Sequence, residues 1–170
     1  MKPWLAALII ALLAGGQAGP SAAQALELAG RVIAVADGDT ITLLDADKRQ
    51  HRIRLDGIDA PEKAQAFGDR SRQSLRALAH DHAAMAHCPK TDKYGRRVCR
   101  VLVDGEDVGL EQVRRGLAWH FKRYENEQTP GDRHAYAEAE TEARADRRGL
   151  WRDATPQPPW AFREQKRAAE

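Results

Sequence analysis

No apolar run in this chain is long enough to cross a bilayer. The uncharged stretch Trp4 to Ala14 has about eleven residues, against the roughly 20 that a transmembrane helix needs. An excess of one charge is missing too. The chain has 27 Lys and Arg against 25 Asp and Glu, a net charge of +2. That excludes a protein that holds a polyanion by overall electrostatics alone, so any such partner must be met by a local site. The six histidines show no His-Glu-x-x-His or other metal spacing. No segment repeats, and cysteine is scarce, with only two in 170 residues.

What is present at the N-terminus reads as an export signal. Lys2 supplies a positive start, Trp4 to Ala14 an apolar centre, and Ala23-Gln24-Ala25 the small-residue pattern of signal cleavage. No cysteine lies there to carry a lipid. Residues 1–25 are therefore expected to be a signal peptide, with the mature protein secreted or periplasmic. Removing them leaves 145 residues, of which 26 are basic and 25 acidic, enough for one domain with a modest core.

The midpoint between Cys88 and Cys99 falls between Lys93 and Tyr94, inside the turn-like run Pro89 to Gly95. If that run reverses the chain, the thiols face each other across an antiparallel pair. An even cysteine count in an exported chain then reads as one disulfide. The rival is a zinc site of His82, His87, Cys88 and Cys99. Adjacent strand residues such as His87 and Cys88 point to opposite faces, which disfavours it.

Hydrophobic patterning predicts a three-stranded meander over residues 30–59, with turns at Asp37-Gly38 and Asp45 to Lys48. A helix is predicted from about Asp69 to His82, with Leu75, Leu78 and Ala79 on one face. A strand pair, Ala83 to Cys88 and Arg96 to Val103, and a short helix from Gly109 to Arg115 follow. Leu117 to Tyr124 read as extended or irregular, and Glu125 to Gly131 as a polar loop. A last helix runs from an Asp132 cap to Arg148, with Tyr136, Ala139 and Ala143 inward and Leu150 and Trp151 docking its end. Beyond Arg152, Pro156, Pro158 and Pro159 interrupt any periodicity, so residues 152–170 read as a proline-rich surface tail. The pattern suggests an α+β fold built on a small Greek-key barrel.

Three segments place charge where a strand or turn would ordinarily be bland: Asp37-Gly38-Asp39-Thr40, Arg54 through Asp59-Ala60-Pro61-Glu62, and Asp92-Lys93-Tyr94-Gly95-Arg96. Singly, each is an ordinary turn or solvated loop. In this order they resemble the staphylococcal nuclease family, in which three such segments converge on one pocket. The resemblance covers roughly residues 28–151 and includes Gly149-Leu150-Trp151. It implies a five-stranded OB-fold Greek-key β-barrel with about three helices, and a nuclease domain over 26–151.

The implied activity is calcium-dependent hydrolysis of phosphodiester bonds in DNA and RNA by a monomer without a stable protein partner. Cutting would ignore sequence and leave 3′-phosphates. Attack on an anionic phosphodiester needs charge neutralisation, a base for the water and donors for charge growing on oxygen. The resemblance makes Asp39 and Asp59 the Ca2+ ligands, with the Ala60 carbonyl as a main-chain contact where the family often has Thr. Hard carboxylate oxygens suit that ion. Glu62 matches the family's proposed general base. Arg54 and Arg96 match its two arginines, whose planar forks grip two phosphate oxygens at once.

Lys93 and Tyr94 match residues that meet the terminal phosphate. Tyr124 and Trp119 offer aromatic faces for a base, with Trp119 equally readable as core. His120 reads as a surface side chain, and Asp37 either orients water or makes the turn. The Glu62 to Gly68 loop is shorter than that of the staphylococcal enzyme, which bears on rate and substrate preference. Two other readings compete: a non-catalytic OB-fold module binding nucleic acid or protein, and an exported barrel with a structural calcium. The binding module would be expected to lose the carboxylates or the arginines.

Overall fold

The computed structural model describes residues 26–169, so the expected signal peptide lies outside the described residues. Strands β1 (Leu26–Val35), β2 (Thr40–Asp45) and β3 (Gln50–Leu55) form the meander, and the two-residue strand β4 (Ile58–Asp59) follows. Helix α1 (Gly68–Ala79) leads to β5 (Ala83–Thr91), β6 (Arg97–Val103) and the short β7 (Glu106–Asp107). Then come α2 (Val108–Arg114), the short β8 (Trp119–His120), α3 (Pro130–Ala145) and α4 (Pro159–Ala168), with 3-10 turns at Lys122–Glu127 and Gly149–Arg152.

Five strands close into a barrel. β1 pairs antiparallel with both β2 and β5, β2 with β3, and β5 with β6. A parallel pairing of β3 with β6, Ile53 beside Arg97, joins the ends. Closure removes the exposed edges that an open sheet would leave. Alternation decides what points inward: Ile53 and Leu55 on β3 and Ala84, Ala86 and Cys88 on β5 are buried, while Arg52, Met85 and His87 face out. The core is completed by Val32, Ile41, Leu43 and Val101 from strands, and Leu75, Val113 and Ala139 from helices.

Cys88 and Cys99 form the expected disulfide between β5 and β6. The register that sets His87 against Arg100 brings the two cysteines opposite one another. His82 and His87 point instead to Asp104 and Glu27, at 3.6 and 3.7 Å, so no zinc site forms from these four residues.

Buried polar groups tie the helices to the barrel. Asp107 caps α2 by accepting from the Gly109 and Leu110 amides, and also accepts from Tyr136 Oη and Arg100 Nε. One carboxylate thus joins α2, α3 and β6 while keeping its oxygens satisfied. Gln112 Nε2 donates to the carbonyls of Gly38 and Ser71, both at 3.0 Å, and so pins the β1–β2 turn to α1 and α2.

Several expectations need correction. Helix α1 stops at Ala79, since His80 is extended and Asp81 adopts a left-handed φ of 67°. Helix α3 is capped by Thr129, not Asp132; Thr129 Oγ1 accepts from the Asp132 amide, and Pro130 opens the helix. Proline suits that first position because its missing N–H would have no helical partner there. His120 is buried, not exposed, with Nε2 paired to Gln128 Oε1 at 2.8 Å. Trp119 is core, packed edge-on against Trp151 at 4.4 Å between ring centroids. The tail is not featureless either: α4 begins at Pro159 and docks Trp160 on Phe121 and Trp119, each at 5.5 Å. Reduction of the disulfide, which closes a separation of 11 residues, is expected to lower stability by about 2–3 kcal/mol through loop-closure entropy. Urea unfolding with and without reductant measures it, and equal midpoints would contradict it.

Candidate active site

The three charged segments meet at one mouth of the barrel. A cavity of about 770 Å³ is lined by Asp39, Arg54, Asp59, Ala60, Glu62, Lys93, Tyr94, Arg96 and Tyr124, together with Asp37, Phe121 and Arg163. Residues far apart in the chain arrive there because β2 begins at this mouth, β3 and β4 end at it, and the β5–β6 turn also borders it.

Asp39 immediately precedes β2. Its own amide donates to Asp37 Oδ1 at 3.1 Å, Thr40 Oγ1 donates to its Oδ1 at 2.9 Å, and the Ala60 amide donates to its Oδ2 at 3.2 Å. Asp59 lies on β4, opposite Trp119 of β8, and is only 1% exposed. Burial pushes its carboxyl above the ordinary range; hydrogen bonding from Arg163 opposes that, and the nearby charge of Asp39 adds to it. Asp37 is raised further, to about 6, by burial and by the Asp39 charge. A cluster of carboxylates held out of water calls for positive charge beside it.

Arg54 supplies some. From β3, opposite Thr40, its Nη2 lies 3.1 Å from Asp59 Oδ1 and 3.4 Å from Asp39 Oδ2. Burial works against its charge, but Asp39 and Asp59 outweigh that and hold its proton more firmly than usual. Arg96 is oriented from the β5–β6 turn by Asp92, whose Oδ2 accepts from Nε and lies 2.8 Å from Nη2. Burial of Asp92 opposes ionisation, yet the Arg96 amide and guanidinium hold its carboxyl below the ordinary range. Arg96 Nη1 reaches Thr40 Oγ1 at 3.5 Å. Its fork is therefore fixed on the wall that also carries Asp39.

Glu62 follows Pro61 and remains 41% exposed by side chain, with Oε1 on Arg163 Nη1 at 2.8 Å. Tyr94 and Tyr124 present exposed rings, 71% and 42%. Lys93 Nζ lies over the Tyr94 ring at 5.0 Å and Lys90 Nζ over the Tyr124 ring at 4.9 Å. Apart from Trp119, which is core, every residue singled out for catalysis, metal or substrate thus borders one space. Sequence reasoning missed two neighbours. Phe121 lies under the Arg54 guanidinium, 5.8 Å from its carbon. Arg163 was hidden in the tail; the Pro158-Pro159 pair marks a helix start, but nothing local says where that helix docks.

The donor set fits a hard divalent cation. Asp39 and Asp59 offer carboxylate oxygens on a shared wall, and the Ala60 main chain adjoins both. Among the described residues no group of three or more His, Cys, Asp or Glu comes together as a metal cluster. An ion on this pair would draw its remaining oxygens from main chain and water, as calcium tolerates.

The barrel, with paired carboxylates and two oriented guanidinium groups at its mouth, defines an OB-fold protein equipped to hold a phosphate ester. Comparison with known proteins narrows this. The family model described as "Staphylococcal nuclease homologue" matches residues 52–153. The chain is 38% identical over 141 residues to an "Uncharacterized endonuclease" of Escherichia coli O157:H7, covering 82% of this chain and 88% of that one. It is 34% identical over 137 residues to an "Uncharacterized endonuclease" of Haemophilus influenzae, covering 81% and 74%. To the "Micrococcal nuclease" of Shigella flexneri it is 36% identical over 143 residues, 79% of each chain. The chain belongs to the staphylococcal nuclease family.

Gly38 holds the Asp39 turn against α1. A Cβ there would stand 1.9 Å from Ser71 Oγ, 2.8 Å from Ser71 Cβ and 2.7 Å from Ala60 Cβ. Gly38→Ala is expected to destabilise by about 1–3 kcal/mol, the usual cost of overpacking, and to part Asp39 from Ala60. A thermal melt checks it; an unchanged melting temperature would show that Ser71 and Ala60 yield freely.

Proposed function

We propose that the protein is an exported, calcium-dependent endonuclease that hydrolyses phosphodiester bonds of DNA and RNA without sequence preference and leaves 3′-phosphates. The observation that carries this reading is the convergence of Asp39, Arg54, Asp59, Glu62 and Arg96 on one cavity. Family membership and relatives named as nucleases support it.

Each side chain has a task set by its surroundings. Asp39 and Asp59 would hold the calcium ion, which when bound supplies positive charge at the scissile phosphate. Arg54 and Arg96 bring permanently charged donor forks, each already oriented by a carboxylate, to oxygens where charge grows during attack. Glu62 keeps an exposed carboxylate within reach of the same space and takes the proton of the attacking water. The 5′ oxygen then leaves. Tyr94 and Tyr124 offer rings on which bases stack whatever their identity, and Lys93 meets a flanking phosphate. Export draws on the leader-like residues 1–25 and on the disulfide, which suits an oxidising compartment. The enzyme is taken to act as a monomer.

A binding module of the same fold would have no use for the full catalytic set, and this chain retains it. Purified protein is expected to digest single-stranded DNA and RNA with calcium and to stop with chelator; intact polynucleotides under those conditions would end the reading. Glu62→Gln is expected to lower turnover by roughly 100- to 10,000-fold, the span of general acid–base effects, while calcium and substrate still bind. Undiminished turnover in that variant would remove Glu62 from the mechanism.

A further inference from the structure

The C-terminal helix brings a cation of its own to the site. Arg163, 104 residues from Asp59 in the chain, donates from Nη1 to Asp59 Oδ1 at 3.2 Å and from Nη2 to Oδ2 at 2.7 Å. Its Nη1 also donates to Glu62 Oε1 at 2.8 Å. This is a two-pronged guanidinium–carboxylate pair, the geometry in which charge-assisted hydrogen bonds are strongest. With Arg54 on Asp59 Oδ1 as well, both oxygens of that carboxylate face N–H groups. Arg163 is held there by more than its own charge. Trp160, one turn earlier on α4, packs on Phe121 and Trp119, and Gln65 Nε2 donates to the Gln157 carbonyl just before the helix.

We propose that Arg163 is an autoinhibitory residue: a tethered cation that occupies Asp59 and Glu62 and must be displaced before Asp59 takes a divalent ion and Glu62 is free to act on water. This rests on the reading of Asp39 and Asp59 as the divalent-ion pair. Arg163 covers both Asp59 oxygens, with Arg54 on one of them as well, so an ion reaches that carboxylate only by taking the place of the Arg163 fork, whose charge it also repels. Displacement is within reach because the Arg163 side chain is 40% exposed, whereas that of Asp59 is 1% exposed; the arginine has water to return to and the aspartate does not. Arg163 also lines the cavity where a substrate phosphate would lie, an anion able to receive it once it leaves Asp59. Substrate and ion then assist each other's binding, because each favours the same displaced state.

Calcium titrated calorimetrically into chelator-stripped protein, without nucleic acid, tests this apart from turnover. If Arg163 blocks the pair nine-tenths of the time, Arg163→Ala binds calcium about tenfold more tightly than the wild type, because occlusion weakens apparent affinity by the free fraction. Arg163→Lys falls between them, keeping the charge and losing the fork. Trp160→Ala, which loosens α4 without altering a charge, is expected to tighten calcium binding as well. Equal or weaker binding by Arg163→Ala overturns the proposal while leaving the nuclease reading intact. Absence of calcium binding in every protein overturns both.

Discussion

Two carboxylates buried side by side repel each other, and the site is arranged around that repulsion. Asp39 and Asp59 cannot both remain charged out of water without a cation close by. The chain answers with Arg54 between them, and with Arg163 on the outer face of Asp59. That leaves the pair poised between protein cations and an external one. The same electrostatic demand that makes the carboxylates suitable for a hard divalent ion makes them attractive to any arginine that the fold brings near.

The scaffold keeps the pair from relaxing apart. β2 and β3 share a ladder in which Thr40 opposes Arg54, so the strand that positions Asp39 also positions its counter-charge. β4 holds Asp59 by pairing with β8, and Gln112 ties the Gly38 carbonyl to α1. Closure of the barrel through β3 and β6 brings the β5–β6 turn, and with it Arg96, over the same mouth. A rigid closed sheet lets short loops carry charged groups at set distances. The disulfide across β5 and β6 lies in the core next to that turn.

Elements with strong local signals were legible in the sequence. The meander shows its alternation, the first three helices show their apolar faces, and the spacing of Cys88 and Cys99 about a turn implies their pairing. The charged segments were legible as a set because each departs from what a turn requires. His120, Trp119 and α4 were not. A histidine or tryptophan in a two-residue strand carries no periodic mark of burial, and α4 is a short helix inside a proline-rich run; its anchor, Trp160, stays partly exposed while its ring rests against aromatic side chains of another segment.

By itself the sequence determined which chemistry is available: acid and arginine groups in three short motifs, a family relationship, and strands and helices enough for a closed barrel. Those follow from residue identity and short-range pattern, which the chain states locally. The tertiary structure alone decided that a tail arginine would sit on Asp59 and Glu62. Contacts across 104 residues depend on where whole elements dock, and docking is set by the sum of many packing interactions that no local pattern encodes.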